Sequence, residues 1–255
     1  MFDTNATVNN ISNWANLEVK LPADLAKSLE AYEALRYVET GHEPVIDPTK
    51  LKASNVAVEV DKVAGELSVN AQREEAKRRL LAALGGKILR EAGAAVPDLV
   101  EQLTPEFNTQ AAKFKAAVAK LPYELTSEAI VASANPEVLA ALGDAKQAGA
   151  YLRAVDQWVA GLTQLPAFAG VDVDAQPVLR ILAPSTYKSL VNLLTAHNQP
   201  GKDELVVQVG AAYLAAARAG VEFRIADPRE AAQLREKLEA SRPAPKDVRY
   251  LDLTR

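Results

Sequence analysis

Residues 68–92 read SVNAQREEAKRRLLAALGGKILREA, and this stretch carries the clearest evidence for the fold. Leu80, Leu84 and Ile88 recur every four residues, so they lie on one face of an α-helix. Acidic residues precede basic ones by four positions on the other faces, which is the order that stabilises a helix surface. The stretch therefore predicts an amphipathic helix.

Helical spacing of apolar residues extends in both directions from this stretch, from about Leu25 to Leu162. Upstream, Val56, Val60, Val63 and Leu67 follow a four-three-four pattern. Valine also alternates at positions 56, 58 and 60 as it would in a strand, and glycines at 65, 85 and 86 weaken a helix. We therefore expect separate helices here rather than one unbroken helix.

A further helix is predicted to begin at Thr104-Pro105, because Thr is a good cap and Pro suits the first turn. Apolar side chains form one stripe along it, from Phe107 to Leu121. Asn135-Pro136 is the next helix start, and its pattern continues to about Gln164. These segments predict a bundle-like helical region.

The pattern changes after Leu165-Pro166. A short strand-like run covers residues 178–182, and alternation over residues 221–225 is the best strand signal in the chain. Helices are predicted between and after them, the last capped by Asp227. The fold class is therefore mainly α, bundle-like over the N-terminal two-thirds, with a small C-terminal α/β or α+β unit. The predicted domains are an arm (1–21), a helical domain (22–165), the α/β unit (171–242) and a tail (243–255).

Composition excludes several chemistries. The 255-residue chain has no cysteine and two histidines, so disulfides, thiolate metal sites and cysteine nucleophiles are ruled out. Its net charge is −4, which provides no basic footprint for nucleic acid. No stretch approaches the ~20 apolar residues that span a bilayer. We expect a cytoplasmic protein that binds no nucleic acid, membrane, metal or cofactor.

The two ends of the chain differ from the rest. Residues 1–20 are low in charge but carry apolar side chains, and the tail ends in a similar group. In one interpretation, the N-terminal side chains pack onto their own domain. In the second, they dock on a neighbouring subunit. In the second interpretation, the candidate partner-binding residues are Phe2, Ile11, Trp14, Leu17, Tyr250 and Leu251.

Candidate catalytic groups are sparse. No G-x-S-x-G motif and no phosphate-binding loop occurs. Asp172 and Asp174 form a compact carboxylate pair. Hard cations bind clustered oxygens, but two carboxylates alone do not fill a coordination shell. With Arg180 and His197, they are the residues to test if an enzyme site lies between the helical domain and the α/β unit.

Three functions follow from these observations. The first is a non-enzymatic structural or assembly protein that acts through protein–protein contacts, as a homo-oligomer or a subunit of a repeating assembly such as a virion. The second is an enzyme with the site just described. The third is a helical adaptor that binds a partner helix along the Phe107–Leu121 stripe. The shortage of catalytic groups favours the first.

Overall fold

The computed structural model describes residues 3–42, 44–52, 54–171, 177–201 and 203–243. The predicted fold class is confirmed: the described chain is mainly helical, and its one small sheet lies near the C-terminus. The helices are α1 (Thr4–Ser12), α2 (Ala23–Arg36), α3 (Val56–Val118), α4 (Ser127–Ser133), α5 (Pro136–Leu162), α6 (Tyr187–Asn198), α7 (Glu204–Val209), α8 (Ala211–Arg218) and α9 (Pro228–Ala240). The strands are β1 (Leu182–Ala183) and β2 (Glu222–Phe223), and short 3-10 turns cover Asn13–Leu17, Pro48–Lys50 and Pro166–Phe168.

Helix α3 corrects the sequence-based prediction of separate helices. It runs without a break for 63 residues, through the glycines at 65, 85 and 86 and through the predicted start at Thr104. A glycine costs a helix only about 1 kcal/mol relative to alanine, which the remaining residues of so long a helix offset. The helical spacing of the valines thus prevails over their strand-like alternation.

Two prolines lie inside α3, and their position explains why the helix continues past them. Pro97 and Pro105 are both exposed, so their rings face solvent and do not disturb the packing of the buried face. The opposite face is buried, including Val96, Leu99 and Leu103. Packing of that face stabilises the helix by more than the prolines destabilise it.

The chain forms two compact units. The N-terminal unit holds the described residues up to Leu99 together with Gln164–Ala167. Its N-terminal helix α1 was not predicted; Asp3 caps it by accepting a hydrogen bond from the backbone N–H of Asn5 at 2.9 Å. The side chains of Val8, Ile11, Trp14, Leu25, Tyr32, Ile88 and Leu99 are among its buried core.

The C-terminal unit holds Val100–Thr163 and the described residues from Phe168 onward. Its two strands pair antiparallel, with Leu182 opposite Phe223. Helices α6, α7 and α8 connect them, and α9 follows. Gly210 lies between α7 and α8 at φ 99°, a non-helical dihedral angle that glycine adopts without the strain of a side chain. The division into arm, helical domain, α/β unit and tail stays a prediction.

Candidate functional site

The first half of α3 has no buried side chain. Between Val56 and Leu84, every residue of the helix is exposed or half-buried, and the first buried position is Gly85. Helical apolar residues are normally covered by their own domain. Here Val58, Val60 and Leu67 are all more than half exposed. These apolar side chains therefore lack a covering element among the described residues of their unit.

The connector between α2 and α3, residues 37–55, adds more apolar surface beside α3. Val45 is 96% exposed, and Ile46 and Leu51 are exposed as well. Between the connector and the first turns of α3 lies a groove of about 660 Å³, which we call the apolar groove. Its lining residues are Val45, Ile46, Asp47, Leu51, Val56, Glu59, Val60, Lys62, Val63, Ala64, Glu66 and Leu67.

Hydrogen bonds from α3 hold the start of the connector in place. The Lys77 ammonium donates to the carbonyl oxygens of Arg36 and Val38, at 2.7 and 2.8 Å. The Asn70 amide donates to the carbonyl oxygen of His42 at 2.7 Å. Gly41 precedes it at φ 132°, where a Cβ would overlap the Asn70 amide. These bonds hold the connector beside α3 up to His42, and the lining residues of the apolar groove follow from Val45 onward.

The rim of the apolar groove is acidic. Asp47, Glu59 and Glu66 contribute carboxylates, and Lys62 contributes the one positive charge among its lining residues. The Asp47 carboxylate also accepts a hydrogen bond from the backbone N–H of Thr49 at 3.1 Å, which caps the 3-10 turn. An apolar floor with a charged rim is the composition of a protein–protein contact.

A second candidate is a polar cluster in the C-terminal unit. Asp156 of α5 accepts hydrogen bonds from Arg180, at 2.6 and 3.2 Å, and from the Tyr213 hydroxyl at 3.1 Å. Burial, followed by the Asp156 charge, raises the pKa of Tyr213 well above its usual range. These groups pair with one another, so the cluster is arranged as a structural network rather than as an open reactive centre.

A cleft of about 250 Å³ lies beside this cluster, and Asp156, Tyr213, His197 and Arg153 are among its lining residues. Arg153 donates to the carbonyl oxygens of residues 207 and 208, at 3.3 and 3.1 Å. The cleft therefore belongs to the C-terminal unit alone. It brings one of the predicted enzyme-site residues, His197, near the carboxylate that pairs with another, Arg180.

Asp156 and Tyr213 were missed by the sequence reasoning, because 57 residues separate them and no motif connects them. One signal was present: Asp156 lies between apolar helical positions such as Val155 and Val159, where an unpaired carboxylate would be costly. Asp172 and Asp174, the other predicted enzyme-site residues, lie outside the described residues.

The predicted partner-binding residues fall into two groups. Ile11 and Trp14 are buried in the N-terminal unit, at 1% and 4% exposure, and Leu17 is half-buried. Phe2, Tyr250 and Leu251 lie outside the described residues. Their role in binding a partner stays a prediction, and Ile11 and Trp14 would have to leave their present positions to perform it.

The adaptor stripe is also covered by the chain itself. Phe107, Ala111, Phe114, Val118 and Leu121 are all buried. Phe114 contacts the ring of Tyr213 edge-on, with the centroids 6.5 Å apart. A partner helix therefore has no access to this stripe in the folded chain.

Within the described ranges, no three His, Asp or Glu residues are grouped so that they could hold a metal ion. No helix in the same ranges is both long and apolar enough to cross a membrane. No protein-family model, curated protein or solved structure matches the chain.

Proposed function

We propose that this protein is a non-enzymatic structural or assembly protein that acts through protein–protein contacts. Its partners are protein subunits, and copies of the chain form a homo-oligomer or part of a larger repeating assembly, such as a virion. The cytoplasm is the proposed location, supported by the absence of cysteine. The proposal includes no cofactor.

The observation that carries this proposal is the uncovered apolar surface of the N-terminal unit. Isolated exposed apolar side chains are ordinary, but contiguous apolar patches with a polar rim mark interaction sites. The apolar groove is of this second kind, because exposed valines, an isoleucine and leucines from two segments line it together.

Light scattering over a concentration series tests the proposal. We expect the mass of the unmodified chain to rise above its 27.3 kDa monomer mass as concentration increases. Val60→Glu should shift the transition to at least about 100-fold higher concentration, because a carboxylate buried without a partner costs several kcal/mol.

Leu139→Glu is the matched control. Leu139 is 58% exposed and Val60 is 60% exposed, and both lie in the second turn of a helix. The control should associate like the unmodified chain. A chain that remains monomeric at every concentration contradicts the homo-oligomer, and equal association of all three proteins removes the apolar surface as the contact.

The polar cleft favours an enzyme as a second candidate. It places His197 and Arg153 beside a buried carboxylate, a setting in which ligand-binding groups are often found. Thermal-shift measurements with nucleotides, sugars and divalent metals test it. A saturable rise in melting temperature that disappears in His197→Ala supports an enzyme or ligand-binding site, whereas no stabilisation by any of them counts against it.

A further inference from the structure

We infer that a second copy of this chain covers the apolar groove. The same surface of each copy contacts the other, and the two α3 helices run antiparallel about a two-fold axis between Val60 and Val63. This inference rests on the proposed function, and it adds the partner and the geometry of the contact. Three features of the described residues carry it: the area of the surface, the spacing of the apolar stripe and the small residues beside it.

The exposed apolar area matches what a stable dimer needs. Six lining side chains are between 44% and 96% exposed: Val45, Ile46, Leu51, Val56, Val60 and Leu67. With roughly 100 Å² for each fully exposed aliphatic side chain, they present on the order of 400 Å² per chain. A standard interface buries about 800 Å² per partner, of which somewhat more than half is apolar. The groove therefore provides most of the apolar part of one such interface.

The spacing of the stripe is the same in both directions. Val56, Val60, Val63 and Leu67 are separated by four, three and four residues. In an antiparallel pair, Val56 of one copy faces Leu67 of the other, and Val60 faces Val63. Every residue of the stripe then meets an apolar partner, as a two-fold interface requires, since it uses one surface twice. In each copy, the exposed apolar side chains of the connector would pack against α3 of the other copy, beside the contact between the two helices.

Small residues allow the two helices to approach closely. Ala57, Ala64 and Ala71 recur every seven residues beside the stripe, and all three are exposed. Residues seven apart lie almost above one another on an α-helix, so these alanines form one narrow strip. Side chains at the contact determine the distance between helix axes, and alanines permit the shorter separations.

Disulfide formation tests the geometry, because the chain has no cysteine of its own. Val60→Cys and Val63→Cys are purified separately, one of them labelled with ¹⁵N, then mixed in equal amounts and oxidised mildly. Mass spectrometry then separates mixed dimers from dimers of one variant. We expect mixed disulfides to exceed clearly the half that random pairing would produce. Leu139→Cys, on the C-terminal unit, should form few disulfides under the same conditions.

Salt dependence provides a second measurement. Both rims are acidic, so association in this register should tighten as salt screens their repulsion. Weaker association at high salt would indicate a different register, in which the net-acidic stretch 59–66 faces the net-basic stretch 73–79 of the other copy. That result overturns the inference.

The outcomes separate the inference from the proposed function. An oligomer with an excess of mixed disulfides supports both. An oligomer in which the two variants form no disulfides, or mainly disulfides of one variant with itself, overturns the antiparallel contact and leaves the assembly role standing. A chain that stays monomeric over the concentration series contradicts both.

Discussion

At the scale of single residues, two ion pairs of equal length differ in their surroundings. Arg180 Nε lies 2.6 Å from the Asp156 carboxylate, and Arg79 Nε lies 2.6 Å from that of Glu75. The side chains of the first pair are 17% and 13% exposed, whereas those of the second are 76% and 39% exposed. Desolvation, and not the distance, determines what the loss of one partner costs.

Asp156→Ala should therefore lower the free energy of unfolding by about 3–5 kcal/mol, because it leaves the Arg180 guanidinium buried without its partner. Glu75→Ala should leave stability nearly unchanged, because water solvates its arginine partners. Urea denaturation of both variants measures the difference. Similar losses in the two variants would mean that the Asp156 pair is solvated like a surface pair.

Tyr213 makes stability depend on alkaline pH. Its pKa is higher in the folded chain than the value of about 10 in the unfolded chain, chiefly because of burial. The folded state thus keeps a proton that the unfolded chain loses. This contribution is fully present below about pH 10, and stability declines as the pH rises above it.

Tyr213→Phe should reduce this decline, as measured by urea unfolding between pH 8 and 11. Burial also raises the pKa of Tyr32, so part of the decline should remain. At neutral pH the variant should lose about 1 kcal/mol, the usual worth of one hydrogen bond. An unchanged alkaline slope would show that Tyr213 titrates as it does in the unfolded chain.

At the scale of elements, Pro97 lies inside α3 although it has no backbone N–H to donate to the helix. Pro97→Ala should raise the free energy of unfolding by about 1–3 kcal/mol, since it restores a backbone donor and removes a steric clash. Ala94→Gly, at a nearby exposed position, should lower it by about 1 kcal/mol. Urea unfolding, followed by circular dichroism, measures the free energy of unfolding of both variants. A loss of stability in Pro97→Ala would show that the helix geometry at the proline stabilises the fold.

Local sequence signals predicted most of the helices but not the length of α3. The starts of α5 and α9 are confirmed, because Asn135 and Asp227 cap them and proline follows each cap. Such caps act within one turn, so they can be read directly from the sequence. Continuation of α3 past its prolines depends on distant packing against the other helix face, which the local pattern does not contain.

The candidate sites show the same division between local and distant information. The stripe from Val56 to Leu67 was visible in the sequence as helical spacing. That it would remain uncovered was not, because burial depends on which segments meet in the fold. The contact between Asp156 and Tyr213 was likewise invisible, since it joins α5 to α8.

At the scale of the whole molecule, the N-terminal segment and the apolar groove should respond differently to mutation. Ile11 and Trp14 belong to the core of the N-terminal unit, and Thr7 donates a hydrogen bond to Gln164 at 3.1 Å. Deleting residues 1–17 removes this core and should lower the melting temperature markedly. Val60→Glu changes only exposed surface and should leave the melting temperature of the monomer, measured below the association range, nearly unchanged.

Differential scanning calorimetry and light scattering on both proteins measure this contrast. The deletion should change the thermal transition, and the charge substitution should change the mass. A truncated chain with unchanged stability and a smaller mass would instead assign the N-terminal residues to a neighbouring subunit, as the arm interpretation predicts.

If copies of the chain pair through the apolar groove, the uncovered half of α3 also makes the lifetime of the protein depend on its abundance. Helix turns without buried contacts open locally at low free-energy cost, and a protease cuts the opened form. Lys62 is exposed within the proposed contact, so a trypsin-like enzyme should cut a lone copy there first. Pairing through the groove would hold these turns closed. Intact protein would then accumulate more steeply than its rate of synthesis, because each additional copy protects another from degradation.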